Sequence, residues 1–253
     1  MKISHVRLIA AGVLLGVSAR AQLNVPVSSV GLAYPGISAV TISTGGSAEN
    51  VLPTPFLLGG LVTQSKAWFC MDPLQRIYYN GSGLPAGSQL NYASSNPSDF
   101  DKWTPAAPGL TAARVQDLAD LFTAYWPSFN NELIGGALQL AVWEITNEFN
   151  GNPFDLSGGQ FLGYNNPALV NEAQLMLNSL GTAAVQGRGN IAGLTFLIDG
   201  TTSIDGTTTF VQDLVGFTPV PEPSTYGIAA CLGLFAIVVL RRRTERIRLA
   251  VAA

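Results

Sequence analysis

Few residues of this chain could do covalent chemistry, and two of them suit each other. Cys70 lies in Lys66-Ala67-Trp68-Phe69-Cys70-Met71-Asp72, and Gln139 lies 69 positions later in Leu138-Gln139-Leu140-Ala141-Val142-Trp143-Glu144-Ile145-Thr146. A thiol held against a side-chain carboxamide attacks the amide carbon, expels ammonia and leaves an internal thioester. Exclusion of water protects that bond from hydrolysis. The other cysteine, Cys231, falls in an apolar segment near the C-terminus, which leaves Cys70 alone in the middle of the chain. A lone cysteine is buried and inert, paired with another chain, or chemically committed.

The remaining chemistry is limited. The one histidine is His5, inside a leader-like segment. Its loss on export removes Ser-His and Cys-His nucleophilic catalysis and most zinc sites. Glu144 and Glu148 sit one helical turn apart, and Asp99/Asp101 and Asp117/Asp120 are close in sequence. A glycosidase needs two carboxyls facing across a cleft, and nothing in these spacings specifies one. The Asp199–Asp205 stretch lacks the spacing of a 12-residue calcium loop and reads as a Gly/Thr turn. No metal, cofactor or catalytic residue is expected, and a thioester used once does not make the chain an enzyme.

Three helices and several strands must position the pair. Lys66–Asp72 reads as a buried strand stopped by Pro73, which cannot donate to a ladder. Asn131 caps a helix running from Glu132 to Phe149 and stopping at Gly151. At 100° per residue, Ile134, Leu138, Ala141, Val142, Ile145 and Phe149 form one apolar face. Gly135, Gly136, Gln139, Trp143 and Thr146 form the opposite one. A solvated face would carry Lys and Glu, so this second face is also expected to be covered, with Gln139 needing a buried partner. Thr111 caps an earlier helix ended by Pro127. A later one has Asn166 as cap, Pro167 at its first position and Gly181 past its end. Leu23–Ser43 reads as strand, turn at Pro35-Gly36, and strand. Ile77-Tyr78-Tyr79 suggests another short strand. Ile191–Asp199 and Thr207–Thr218 read as strands, and Asn80–Pro108, rich in Gly, Ser, Asn and Pro, as a long loop or insertion. The order predicts an α+β domain: a β-sheet or barrel with a three-helix insertion.

The ends place this domain outside the cytoplasm. Lys2 and Arg7, the apolar run Leu8–Val17 and Ala19-Arg20-Ala21 predict a signal peptide over residues 1–21, cleaved after Ala21. At the other end Pro221-Glu222-Pro223 leads into Tyr226–Leu240, an uncharged apolar stretch, and then Arg241-Arg242-Arg243. The arginines read as a stop-transfer cluster on the cytoplasmic side of a transmembrane helix. Residues 220–243 resemble the PEP-CTERM sorting signal, in which a Pro-Glu-Pro motif, a short apolar helix and a basic cluster follow in that order. The resemblance implies a Gram-negative host that makes exopolysaccharide and a processing membrane protease, an exosortase, acting near Pro221-Glu222-Pro223. It also implies inner-membrane anchoring before processing, then the cell surface or extracellular matrix. Residues 244–253 form a short cytoplasmic tail.

The middle carries a second resemblance. Phe69-Cys70-Met71-Asp72-Pro73 and Leu138-Gln139-Leu140-Ala141-Val142-Trp143 are similar to the two motifs of bacterial surface thioester domains of the TQXA type, with Gln139, Ala141, Val142 and Trp143 matching position by position. Leu138 stands where that family usually has Thr, and Met71 where Ile is common. This resemblance implies that residues 22–219 form a thioester-like domain. Cys70 and Gln139 would form the crosslink, Phe69 and Trp143 would shield it, and an amine-bearing surface protein or polysaccharide would be the target for covalent adhesion. The alternative is a non-covalent structural protein of the exopolysaccharide matrix that keeps the fold without the bond.

Charge agrees with such a role. Between Gln22 and Val220 five basic residues face fourteen acidic ones, a net of −9. Nucleic-acid binding needs clustered Lys and Arg, so it is excluded.

Overall fold

The computed structural model describes residues 29–44, 48–59, 67–73, 90–100, 109–148, 154–204 and 207–220, together with Phe235. The predicted signal peptide with Ala21, the strand at 77–79, the Pro221-Glu222-Pro223 motif, the apolar segment and Arg241–Arg243 lie outside the described residues. Among the described residues, no helix is long and apolar enough to cross a membrane.

The larger sheet is antiparallel throughout. Its strands are β1 (Ser29–Leu32), β4 (Phe56–Gly59), β5 (Trp68–Cys70), β10 (Leu214–Phe217), β8 (Leu194–Ile204) and β6 (Asn91–Ser94), in that spatial order, with β9 (Thr207–Val211) also pairing β8. A smaller sheet has the order β3 (Ala48–Val51), β2 (Val40–Thr44), β7 (Phe161–Tyr164). Among the described residues neither sheet closes on itself, which corrects the barrel alternative. The strand–turn–strand reading of Leu23–Ser43 holds locally, but its two strands join different sheets: β1 pairs β4, and β2 pairs β3 and β7.

The helices are α1 (Ala112–Tyr125), α2 (Glu132–Asn147) and α3 (Pro167–Leu180). Their first free amides are capped as the sequence predicts: Thr111 Oγ1, Asn131 Oδ1 and Asn166 Oδ1 accept from the amides three residues on. The helices do not form one uninterrupted insertion, because β7 falls between α2 and α3. The Asn80–Pro108 stretch is not all loop. Asn91–Ser94 pairs with β8 through Thr201, Gly200 and Ile198, and Pro97–Asp99 forms a 3₁₀ turn capped by Asn96. Composition misled there because Leu90 and Tyr92, both fully buried, anchor a strand among turn formers.

α2 is the centre of the molecule. All thirteen residues from Gly135 to Asn147 are buried, and the helix packs on α1, α3, β5 and β7. Covering both faces takes close approaches. A Cβ on Gly135 would come within 2.3 Å of the Tyr34 ring, and one on Gly136 within 2.4 Å of Ile37. The expected second covered face is thus present, met by side chains and by the Pro53 carbonyl.

A third close approach fixes the loop after α3. Asp120, buried in α1, accepts from the amides of Gly187 and Gly189, each at 2.6 Å, and Gln116 donates to the Gly189 carbonyl. A Cβ on Gly189 would lie 2.1 Å from the Ala119 carbonyl carbon. Gly189→Ala is therefore expected to cost on the order of 1–3 kcal/mol, since backbone must move. Gly181→Ala, with nothing within 4 Å of the added atom, is expected to be neutral or slightly stabilising. Urea denaturation of the two variants checks the contrast.

Candidate functional site

β5 ends in the core at Cys70, which is 1% exposed. Its ladder with β10 runs through Cys70↔Leu214, Phe69↔Val215 and Trp68↔Gly216. On the β4 side the described ladder is the single pair Phe56↔Trp68. There a side chain takes over from a strand. The Cys70 N–H donates to Gln139 Oε1 at 3.0 Å, and Gln139 Nε2 donates to the Cys70 carbonyl at 2.9 Å. One carboxamide thus satisfies both backbone groups of one residue, as a neighbouring strand would. Two turns further along the same face of α2, Thr146 Oγ1 donates to the Met71 carbonyl at 2.7 Å, and Asn147 Nδ2 donates to it at 3.0 Å. α2 therefore holds the backbone at Cys70-Met71 through three buried polar side chains.

The sulfur itself points elsewhere. Cys70 Sγ lies 2.6 Å from Gln212 Oε1, short for a thiol donating to a carbonyl. Gln212 Nε2 donates to the Asp72 carbonyl at 2.5 Å. The Gln212 backbone carbonyl accepts from the buried Tyr92 hydroxyl at 3.2 Å, and Met71 N–H donates to the Asp213 carbonyl. Gln212 and Asp213 are buried and break the predicted Thr207–Thr218 strand into β9 and β10. The break turns the Gln212 carboxamide onto the thiol.

The predicted pair thus meets, though through the backbone of Cys70. The carboxamide beside the sulfur belongs to Gln212, which the sequence reading passed over. Its signal was the polar pair Gln212-Asp213 interrupting Phe210-Val211 and Leu214-Val215, since a strand with one wet face would alternate instead.

Phe69 alternates to the opposite face of β5 from the thiol. Its ring packs 4.9 Å from Phe122 and 5.7 Å from Phe129, so it seals the far side of the strand and does not cover the sulfur. Trp143 is buried, with its ring 6.4 Å from Phe161 and, among the described residues, no acceptor for its Nε1–H.

The electrostatics suit a neutral thiol. Burial, and then the Asp72 carboxylate, pushes the Cys70 thiol well above its usual range. Tyr92 is pushed up in the same way by burial, then by Cys70 and Asp213. A standing thiolate of the kind cysteine enzymes use is therefore disfavoured.

The acidic pair on α2 has other duties. Glu144 Oε1 accepts from the Asp155 amide at 2.8 Å, and Glu148 Oε2 accepts from the Gln160 amide at 2.7 Å. Arg114 donates to the Glu148 carbonyl and stacks 4.3 Å over the Phe154 ring. Both residues are buried, each accepting from the backbone of the 154–160 strap. Among the described residues, no three His, Cys, Asp or Glu side chains converge as a metal set. Asp205, one end of the stretch considered for calcium, lies outside the described residues.

Residues 219–243 match the PEP-CTERM protein-sorting motif. The chain is therefore an exported protein sorted by an exosortase, anchored in the membrane by its C-terminal tail before processing. No curated protein and no solved structure matches the chain. The thioester-domain resemblance gains nothing from these comparisons.

Burial raises the Glu144 carboxyl from 4.5 to about 8, against the opposing hydrogen bond from the Asp155 amide. The folded chain then holds a proton that the unfolded chain has lost between those two values, so stability falls as pH rises through that window. The slope approaches ~1.4 kcal/mol per pH unit at most. Glu144→Gln is expected to flatten it, read as denaturation midpoints at about pH 5, 7 and 9.

Proposed function

We propose that the exported domain closes an internal thioester on Cys70 and uses it once, for covalent attachment to an amine-bearing surface. The reading rests on one observation: a buried thiol 2.6 Å from a buried carboxamide oxygen. That carboxamide is Gln212's, so the geometry favours Gln212 over Gln139 as acyl donor. Gln139 then serves as the brace that holds the Cys70 backbone. In the closing step the Cys70 Sγ–Gln212 Cδ bond forms and the Cδ–Nε2 bond breaks. The thiol proton leaves with the nitrogen as ammonia, from the side facing the Asp72 carbonyl. An incoming amine, such as a lysine of another protein or an amino sugar, then adds to Cδ. Sulfur departs and takes up the proton lost by the amine, and the product is an amide crosslink. Processing by the exosortase would deliver the domain to the cell surface or extracellular matrix, where such amines are found.

A second reading, a non-covalent structural protein of the exopolysaccharide matrix, draws on the burial that pushes the thiol up. Intact mass of the recombinant domain separates the two. The covalent reading expects a deficit of about 17 Da, one ammonia, lost in Cys70→Ala and Gln212→Ala. Gln139→Ala is expected to keep the deficit while destabilising the fold by about 1–3 kcal/mol, because two backbone groups lose their partner. A deficit lost in Cys70→Ala and Gln139→Ala but kept in Gln212→Ala returns the acyl role to Gln139. An unmodified mass, with Cys70 alkylated on unfolding and no methylamine incorporated, leaves the structural reading.

A further inference from the structure

A cavity of about 280 Å³ opens where β10 leaves the domain. Its floor is aromatic. Phe217 is buried, stacked at 5.5 Å on Phe122, and meets Trp126 edge-on at 5.4 Å. Trp126 in turn stacks on Phe129 at 5.1 Å, so this wall is rigid. The lining also includes Arg188, exposed and without an acidic partner among the described residues. Arg188 is nevertheless fixed at its backbone, lying between the two glycine amides that Asp120 holds. A partly buried tryptophan beside a braced arginine with no acidic partner among the described residues does nothing for the Cys70 site. It has the composition of a binding hot spot.

The cavity wall continues into Pro219 and Val220. These are the first two residues of the sorting motif at 219–243. No spacer separates the folded domain from Pro221-Glu222-Pro223. At ~3.3–3.6 Å per extended residue, that triplet stays within about 11 Å of the rim. A protease engaging it must lie over the cavity.

We propose that this cavity is a docking surface for the exosortase, continuous with the motif that the exosortase recognises. An apolar side chain from the protease's exposed surface enters against Trp126 and Phe217, and an acidic group beside it pairs with Arg188. The cavity walls come from α1, the 187–190 loop and the end of β10, so they meet only in the folded domain. Processing thereby depends on folding.

The test follows conversion of the full-length precursor by pulse-chase in cells carrying the exosortase, with Glu222→Ala as the unprocessed floor. Arg188→Glu and Thr123→Phe, the second of which fills the cavity, are each expected to slow conversion about tenfold. So is a flexible spacer of about twelve residues inserted between Val220 and Pro221. Unchanged denaturation midpoints of the two substituted domains exclude a folding defect, which the spacer variant, with its domain sequence intact, also guards against. Wild-type conversion in all three overturns the proposal. So does wild-type conversion accompanied by altered self-association of the Arg188→Glu domain, which would assign the cavity to a second copy of the chain.

Discussion

A carboxamide in a dry core must find both a donor and an acceptor, and Gln139 finds them on one residue. Its two hydrogen bonds to Cys70 tie the central helix to the central strand. Much else follows from that constraint. α2 has to be buried on both faces for the bond pair to stay dry, which explains Gly135 and Gly136 and the side chains pressed against them. β5 has to end where the helix can reach it. Thr146 and Asn147 then hold the next carbonyl, so the backbone around the sulfur is set before the sulfur meets anything.

This division of labour separates holding from reacting. One glutamine braces the backbone of the cysteine and another faces its side chain. Each carboxamide spends its hydrogen-bonding capacity on backbone carbonyls, a backbone amide or the thiol, so neither competes for the other's partner. The neutral thiol is consistent with a site that stays closed until something opens it, and burial, with Asp72 beside the thiol and Asp213 beside Tyr92, makes a surrounding that disfavours further negative charge.

Much of this was legible in the sequence, for physical reasons. Helix starts were readable because capping is local chemistry: Thr111, Asn131 and Asn166 each satisfy an amide three residues on. The meeting of Cys70 with the Gln139 face was readable because a Gly-Gly-Gln-Trp stripe has no use in water. Apart from the neighbouring β8 and β9, strand pairing was not readable, since partners such as β5 and β10 lie far apart in sequence and periodicity carries no information about them. β6 was hidden among turn formers, and the separation of β1 from β2 depends on which edges were already taken. Gln212 was missed because Thr207–Thr218 has the composition of one strand. The interruption at Gln212-Asp213 has meaning only once β5 lies alongside.

The position of β10 has a mechanical consequence. The strand begins just after Gln212 and ends just before Pro219, the start of the sorting motif. A bond made at Gln212 and a tether held at the C-terminal end would therefore sit at the two ends of one short, already extended strand. Tension between them would run along that one strand, leaving the helices and the smaller sheet outside the load path.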